Sequence, residues 1–292
     1  MPVAGKTARF IAMPGPPGAE RAVAVAAWSV PVDAMLPAGG RLLDALAGLL
    51  VERQLESACL TLSGGALGPF AYVIPALSPD AAHAAFYSDT FRPAGHTALE
   101  IAAVTVGFRQ GLPFFHCHAF WQAADGRQGC GHVLPDETVI AAPIRVRGAG
   151  IVGARFEVVA DAETGFSLFM PCPTGTPPPP GARAALAFRL APNQELTPAL
   201  EQLGTAAGFT QAVLQGGVAS LIGARFQDAP EIAGFATELL VRSGRVRCNG
   251  GSGPATELDI VIVDLHGSIG AGRLSSHDNP VLMTFEGLLE MA

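Results

Sequence analysis

The segment from Phe114 to Trp121 carries two histidines, His116 and His118, with a single cysteine between them. Its aromatic and apolar residues favour an extended strand, and side chains two residues apart on a strand point to the same face. His116 and His118 therefore project together, and Cys117 projects to the other side. Because imidazole nitrogen is a preferred ligand of Zn²⁺ and similar divalent ions, a third nearby histidine would complete a metal site.

His132 is the candidate third ligand, and its position depends on the length of the hairpin turn that precedes it. A two-residue turn would place His132 opposite Ala119, on the wrong face of the sheet. A three-residue loop over residues 124–126, with Gly126 in the left-handed region, would place it directly opposite His118. We predict the longer loop, because it gathers three imidazoles on one face. The alternative is that the two strand histidines are surface or hydrogen-bonded core residues, unrelated to the third.

The elements that must hold this hairpin occur in the same order in both halves of the chain. In each half a strand leads through an amphipathic helix to a second strand, and the pairs Gly64-Gly65 and Gly216-Gly217 fall at matching places. Strands with one main helix per half predict an α+β fold, and the repeated order predicts a tandem duplication. The helices are predicted from leucine spacing, at Leu42, Leu43, Leu46, Leu49 and Leu50, and at Leu196, Leu200 and Leu203.

A proline-rich segment, PCPTGTPPPPGA, covers residues 171–182 and is predicted to be a linker. It divides the chain into a first domain over residues 1–170, which carries the three histidines, and a second domain over residues 183–292. The first half also contains an insertion, LSPDAAHAAFYSDTFRPAGH, that is predicted to lie on the surface.

Composition restricts the classes of partner. The chain has 18 basic and 25 acidic residues and a formal charge of -7, so a nucleic-acid partner is not expected. The sequence shows no signal-like segment and no apolar window of membrane-spanning length, so we expect a soluble, cytoplasmic protein without membrane contact. The five cysteines have no disulfide pattern, and Cys117 and Cys130 are predicted to be small buried residues rather than ligands.

One stretch resembles a known family, the plant and prokaryote conserved (PPC) domain. That family has a strand beginning with Glu, then His-x-His, a short hairpin and Gly-Gly-His-Leu. The matching residues are Glu100 in LEIAAVTVG, His116 and His118 in FFHCHAF, and His132 in CGHV, and the likeness spans most of residues 20–160.

The resemblance implies two tandem PPC-like domains, each a twisted, largely antiparallel sheet with a packed helix. Single-domain members look trimeric, so a homo-oligomer with trimer-like packing is expected. The scaffold is also similar to that of acetolactate decarboxylase, in which three histidines bind a catalytic zinc. Plant PPC members are linked with DNA through AT-hook segments of the Arg-Gly-Arg-Pro kind, and no such segment is present here.

The second half departs from the family pattern at the site. Asp264 and His266 in VDLHGSI are interpreted as the replacement of the His-x-His pair, with Arg273 in GAGRL at the third position and a shorter hairpin between them. Because a guanidinium stays protonated and cannot ligate a cation, the second site is predicted not to bind metal. Arg273 is expected to pair with Asp264 instead.

Two functions remain open at this point. The first is a metal-dependent enzyme acting on a small carbonyl or carboxylate compound, in which one Zn²⁺ or similar ion is held by three histidines. Glu100 is the candidate catalytic acid or base or the partner of a histidine, and the alternative is a buried structural carboxylate. The second function is a non-enzymatic assembly or regulatory module, which includes a DNA-binding protein.

Overall fold

The structure is a computed structural model that describes residues 9–248 and 255–292. It is mostly antiparallel sheet with two α-helices. The N-terminal half contains β1 (Ala22–Leu36), α1 (Leu42–Arg53), β2 (Ser57–Ser63), β3 (Ala66–Leu67), β4 (Tyr72–Val73), β5 (Pro75–Ala76), β6 (Phe86–Tyr87), β7 (Thr97–Arg109), β8 (Leu112–Gln122), β9 (Gln128–Val133), β10 (Ile140–Ala142), β11 (Ile144–Val152), β12 (Ala154–Ala160) and β13 (Ser167–Pro173). The C-terminal half contains β14 (Arg183–Leu190), α2 (Leu196–Ala206), β15 (Gln211–Leu221), β16 (Thr237–Arg247), β17 (Glu257–Asp264), β18 (Ile269–Arg273) and β19 (Val281–Met291).

The main strands are paired in the same order in both halves. In the N-terminal half the order across the sheet is β9, β8, β7, β2, β11 and β1. In the C-terminal half it is β18, β17, β16, β15, β19 and β14. The two orders meet where β1 pairs with β14, so hydrogen bonding continues from one half into the other.

Each helix covers one face of the sheet in its own half. The buried leucines of α1 pack with Val104, Cys117 and Val146 of the N-terminal sheet. Leu196 and Leu200 of α2 belong to the equivalent core of the C-terminal half. The structure therefore confirms both helices predicted from the leucine spacing. Each fully buried leucine contributes about 1.5 to 3 kcal/mol relative to an exposed one, which fixes the helices against their sheets.

The opposite faces of the two sheets pack against each other. Ala103 and Cys130 of the N-terminal half form one buried cluster with Val218, Leu240 and Val261 of the C-terminal half. The layers therefore run from α1 through the two sheets to α2. A side chain that points away from its own helix in this region meets the other half of the chain.

The proline-rich segment differs in part from its prediction. Strand β13 continues through Pro171 and Pro173, which lie opposite Phe156 and Ala154 of β12. Proline is tolerated here because, within residues 9–248 and 255–292, β13 pairs with β12 alone, so the missing N–H groups face no second partner strand. Only residues 174–182 connect β13 to β14.

Among the described helices, none is long and apolar enough to cross a membrane.

Candidate metal centre

The hairpin of β8 and β9 has the predicted register. His118 lies directly opposite His132. The N–H of Ala123 donates to the carbonyl of Arg127, and Gly126 has φ 83°, so the loop is the three-residue one with a left-handed glycine. The prediction of this loop, and of the face that His132 occupies, is confirmed.

Three imidazole nitrogens converge between the two sheets. Nε2 of His116 lies 3.2 Å from Nε2 of His118, and that atom lies 3.3 Å from Nδ1 of His132. All candidate ligand atoms of this group lie within 4.8 Å of one another. In a tetrahedral site with Zn–N bonds of about 2.0 to 2.1 Å, neighbouring ligands are about 3.3 Å apart. The two separations match that edge, so Nε2 of His118 stands at zinc-ligand spacing from both of the other nitrogens.

The outer nitrogens of two of these rings are held by the C-terminal half. Nδ1 of His116 contacts Oε1 of Glu286 on β19, and Nδ1 of His118 donates to the carbonyl of Leu239 on β16 at 2.8 Å. These contacts place the ring proton on Nδ1 and leave a lone pair on each Nε2. A carboxylate or carbonyl behind a ligand histidine fixes the tautomer and raises its basicity.

Burial keeps two of the three histidines in the form that binds metal. The side chain of His118 is 2% exposed. Burial, followed by the nearby His116, lowers the pKa of both His118 and His132 well below the ordinary value. A lowered histidine pKa means a neutral ring at neutral pH, and neutral imidazole is the ligand species.

Glu238 is a second carboxylate beside the histidine nitrogens. Its Oε1 lies 3.7 Å from Nε2 of His118 and 3.7 Å from Nδ1 of His132. Burial raises the pKa of this carboxyl well above its usual range. Its other oxygen, and Oε2 of Glu286, are buried without a hydrogen-bond partner among the described residues. Buried oxygens of this kind are costly unless a bound group or water satisfies them, so the residues present fit a bound cation.

A small cavity adjoins the histidines on the side of the C-terminal half. Its volume is about 60 Å³, measured as the space open to the centre of a water-sized sphere. Ser220, Thr237, Glu238 and Thr284 supply polar groups to its lining, and Met283 supplies apolar surface. At about 10 to 15 Å³ for each water, the space holds roughly four to six small atoms.

Glu100, the candidate catalytic residue, does not lie beside the three histidines. It lies in β7 at the point where pairing with β8 shifts register between Leu99 and Ile101, and its side chain is exposed. A bulge of this type leaves one residue out of the ladder and re-aims its side chain. The carboxylates that contact the histidines are instead Glu238 and Glu286.

The cysteines near the histidines are buried, as expected. Cys117 is 1% exposed and lies in the core under α1, on the opposite face from the histidines. Cys130 is 3% exposed and lies in the cluster between the sheets. Among the described residues, the group of converging ligand atoms contains the three histidines and neither thiol.

The insertion in the first half covers the site, although the sequence places it simply on the surface. Strand β6 within it pairs with β5, and the ring centre of Tyr87 lies 5.2 Å from that of His132. Ala85 is 4% exposed. The aromatic residues in FYSDTF could have indicated this contact, because large aromatic side chains are favoured where a loop packs against the protein rather than in a fully solvated loop.

The corresponding hairpin of the C-terminal half has the same turn. Gly267 has φ 78°, and the N–H of Asp264 donates to the carbonyl of Ser268, which gives a three-residue loop as in the first hairpin. The prediction of a shorter second hairpin is therefore wrong. Asp264 closes this turn, since its Oδ1 accepts hydrogen bonds from the N–H groups of His266 and Ser268.

Counting back from the two turns gives the equivalent positions. The places of His116, His118 and His132 are taken by Glu257, Asp259 and Arg273, respectively. The position inferred for Arg273 agrees with the structure, whereas Asp264 and His266 are not the replacements of the histidine pair. Arg273 contacts Asp228 at 3.3 Å and Glu257 at 3.7 Å rather than Asp264.

Comparisons with known proteins give matches among solved structures. A PPC protein from Pyrococcus horikoshii is 18% identical, with a TM-score of 0.40 over 50% of this chain and 94% of its own. A metal-containing protein from Archaeoglobus fulgidus is 17% identical, with a TM-score of 0.39 over 57% of this chain and 99% of its own. A Ralstonia eutropha protein with a provisional DNA-binding description is 15% identical, with a TM-score of 0.35 over 49% of this chain and 94% of its own. No family model matches the chain. No curated protein matches it.

Proposed function

We propose that this chain binds one divalent metal ion, zinc or a similar ion, through His116, His118 and His132, and uses it on a small molecule. The observation that carries the proposal is the convergence of three ring nitrogens, in which Nε2 of His118 lies 3.2 and 3.3 Å from the other two, the edge length of a tetrahedral zinc site. We propose further that the two halves are tandem copies in which only the first kept its ligands.

The residues around the histidines support chemistry rather than simple closure of the site. When bound, a divalent ion held by three histidines supplies Lewis-acid chemistry at a fourth coordination position. Glu238 lies 3.7 Å from two of the ligand nitrogens, where its carboxyl can hydrogen-bond a molecule at that position. Glu286 orients His116 from behind. The cavity between the sheets has room for only a few atoms of a bound molecule.

Metal content of the purified full-length chain tests the proposal. We expect about one zinc or similar ion per chain in the wild type and loss of that ion in His118→Ala. His266→Ala is the matched control, because His266 is an exposed histidine in the β17–β18 turn and does not contact the group. A wild type that stays metal-free at saturating zinc would contradict the proposal, as would retention of the ion by His118→Ala.

A structural role for the same ion is the second candidate, and one observation favours it. The histidines come from the N-terminal half, whereas their carboxylate and carbonyl partners come from the C-terminal half, so a bound ion would strengthen the contact between them. Cobalt substitution separates the two roles. An open coordination position predicts that azide changes the visible spectrum of the cobalt-loaded chain, and a closed structural site predicts an unchanged spectrum.

A further inference from the structure

A second cavity reaches the histidines from the end of the sheets at which β7 and β8 meet. Its volume is about 350 Å³ in the same measure. His116 and His132 form part of its wall, and Tyr87 and Phe166 separate it from the smaller cavity, because both residues line the two spaces. Exposed residues such as Ser167 lie along its rim. This space therefore joins solvent to the proposed metal centre.

Arg109 is a positively charged residue in the lining of this cavity. It is the last residue of β7, it is exposed, and its guanidinium carbon lies 4.0 Å from the ring centre of Phe114. Stacking on an aromatic face holds a guanidinium in position and leaves its N–H edge free. Two acidic residues share the lining: Glu137 accepts hydrogen bonds of 2.7 and 2.8 Å from Arg92, and Asp136 is exposed.

No carboxylate within residues 9–248 or 255–292 forms an ion pair with Arg109. Most arginines of the described chain do have such a partner. A guanidinium that is fixed by an aromatic ring, lines a cavity and lacks a carboxylate can donate two parallel hydrogen bonds to an oxyanion.

The strand register places this arginine at a useful distance from the metal ligands. Thr105 lies opposite His116 and Gly107 opposite Phe114, with no shift of register as far as Arg109. Residues 105, 107 and 109 therefore share the face that carries the histidines. Four residues along a strand span about 13 Å, and the long arginine side chain shortens this gap. The guanidinium contacts Phe114, which lies two residues from His116 on the same strand, so it is closer to the histidines than the Arg109 backbone is.

We propose that Arg109, supported by Phe114, is an oxyanion-binding subsite beside the metal centre, and that the small molecule acted on carries a carboxylate or a phosphate. This inference rests on the proposed function, because the second oxygen of the compound is placed at the metal.

The test uses the full-length chain loaded with cobalt and follows its visible spectrum as ligands are added. The probes are glycolate, inorganic phosphate and glycolamide, which has the shape of glycolate without its charge. We expect the wild type to bind glycolate or phosphate more tightly than glycolamide. Whichever of the two anions binds more tightly identifies the kind of oxyanion that the subsite prefers. In Arg109→Met the affinity for that anion should fall about tenfold, the loss of a charge-assisted pair discounted for solvent exposure.

Arg53→Met is the matched control, because it removes another exposed arginine, on α1, that does not line the cavity. It should bind the anion as the wild type does. The inference is overturned if Arg109→Met keeps wild-type anion affinity, if glycolamide binds as tightly as glycolate, or if neither anion binds the cobalt-loaded chain. A chain that takes up no cobalt is a different result, which removes the proposed function itself.

Discussion

Replacing Glu286 by glutamine tests how the C-terminal half acts on the metal centre. Glu286 is fully buried on β19, and its Oε1 contacts Nδ1 of His116. Glutamine has the same shape and can still accept a hydrogen bond from this nitrogen, but it carries no charge. The substitution therefore leaves the geometry in place and removes the carboxylate that makes the ligand ring more basic.

Loss of such a partner behind a ligand histidine lowers metal affinity by about 10- to 100-fold. This corresponds to about 1.4 to 2.8 kcal/mol of binding free energy. The effect on the metal-free protein has the opposite tendency. Oε2 of Glu286 is buried without a partner among the described residues, so replacing the charged group by a neutral amide should leave the unfolding free energy unchanged or raise it.

Zinc competition against a chromophoric chelator measures the affinity, and urea unfolding of the metal-free chain measures stability. Glu290→Gln is the matched control. Glu290 is a buried glutamate on the same strand, where it pairs with Arg183 at 2.8 Å and accepts from Ser29 rather than from a histidine. That variant should lose stability and keep its zinc affinity once folded. Wild-type zinc affinity in a folded Glu286→Gln chain would refute the reasoning.

Two further predictions follow from the same geometry. Zinc at 100 times its dissociation constant should raise the unfolding free energy by about 2.7 kcal/mol, measured by calorimetry. His132→Ala should show no such gain. An equal gain in that variant would exclude His132 as a ligand. Gly131→Ala should destabilise the protein by about 1 to 3 kcal/mol in urea unfolding, because an added Cβ would lie 2.6 Å from the carbonyl oxygen of Val73. Gly40→Ala, where an added Cβ meets nothing within 4 Å, should have little effect, and equal losses in the two variants would contradict this explanation.

The sequence was sufficient to predict the hairpin that carries the histidines. Alternation along β8 fixed which side chains share a face. The turn residues allowed two loop lengths, and the requirement that His132 share the face of His116 and His118 selected the longer one, which the structure has. Both are local properties, in which one residue of error would move a side chain to the opposite face. The same local reasoning located the two helices.

Where the prediction for the second hairpin failed, the cause was the choice of reference point. The resemblance of Asp264 and His266 to a His-x-His pair is accidental, since both belong to the turn. Counting from the left-handed Gly267 gives Glu257 and Asp259 instead. A turn glycine is the better reference because backbone conformation, rather than side-chain chemistry, sets the register.

Glu238 and Glu286 could not be predicted from local pattern. They lie more than 100 residues beyond the histidines and reach them only because the second sheet packs face to face on the first. Glu100 was the natural candidate since it lies in the strand next to β8, but a bulge turns it towards solvent. Neither the packing of two sheets nor a single bulge has a reliable signature in one sequence.

Strand β1 makes the two halves of the chain depend on each other. Residues 22–29 pair with β14 of the C-terminal half, and residues 28–36 pair with β11 of the N-terminal half. A break in the connection between β13 and β14 would not release two independent proteins, because the N-terminal fragment would keep a strand that completes the other sheet. Each fragment alone would expose an unpaired strand edge that is prone to aggregation. Two fragments divided at this connection should therefore stay in solution only when they are produced together, so that each covers the strand edge of the other.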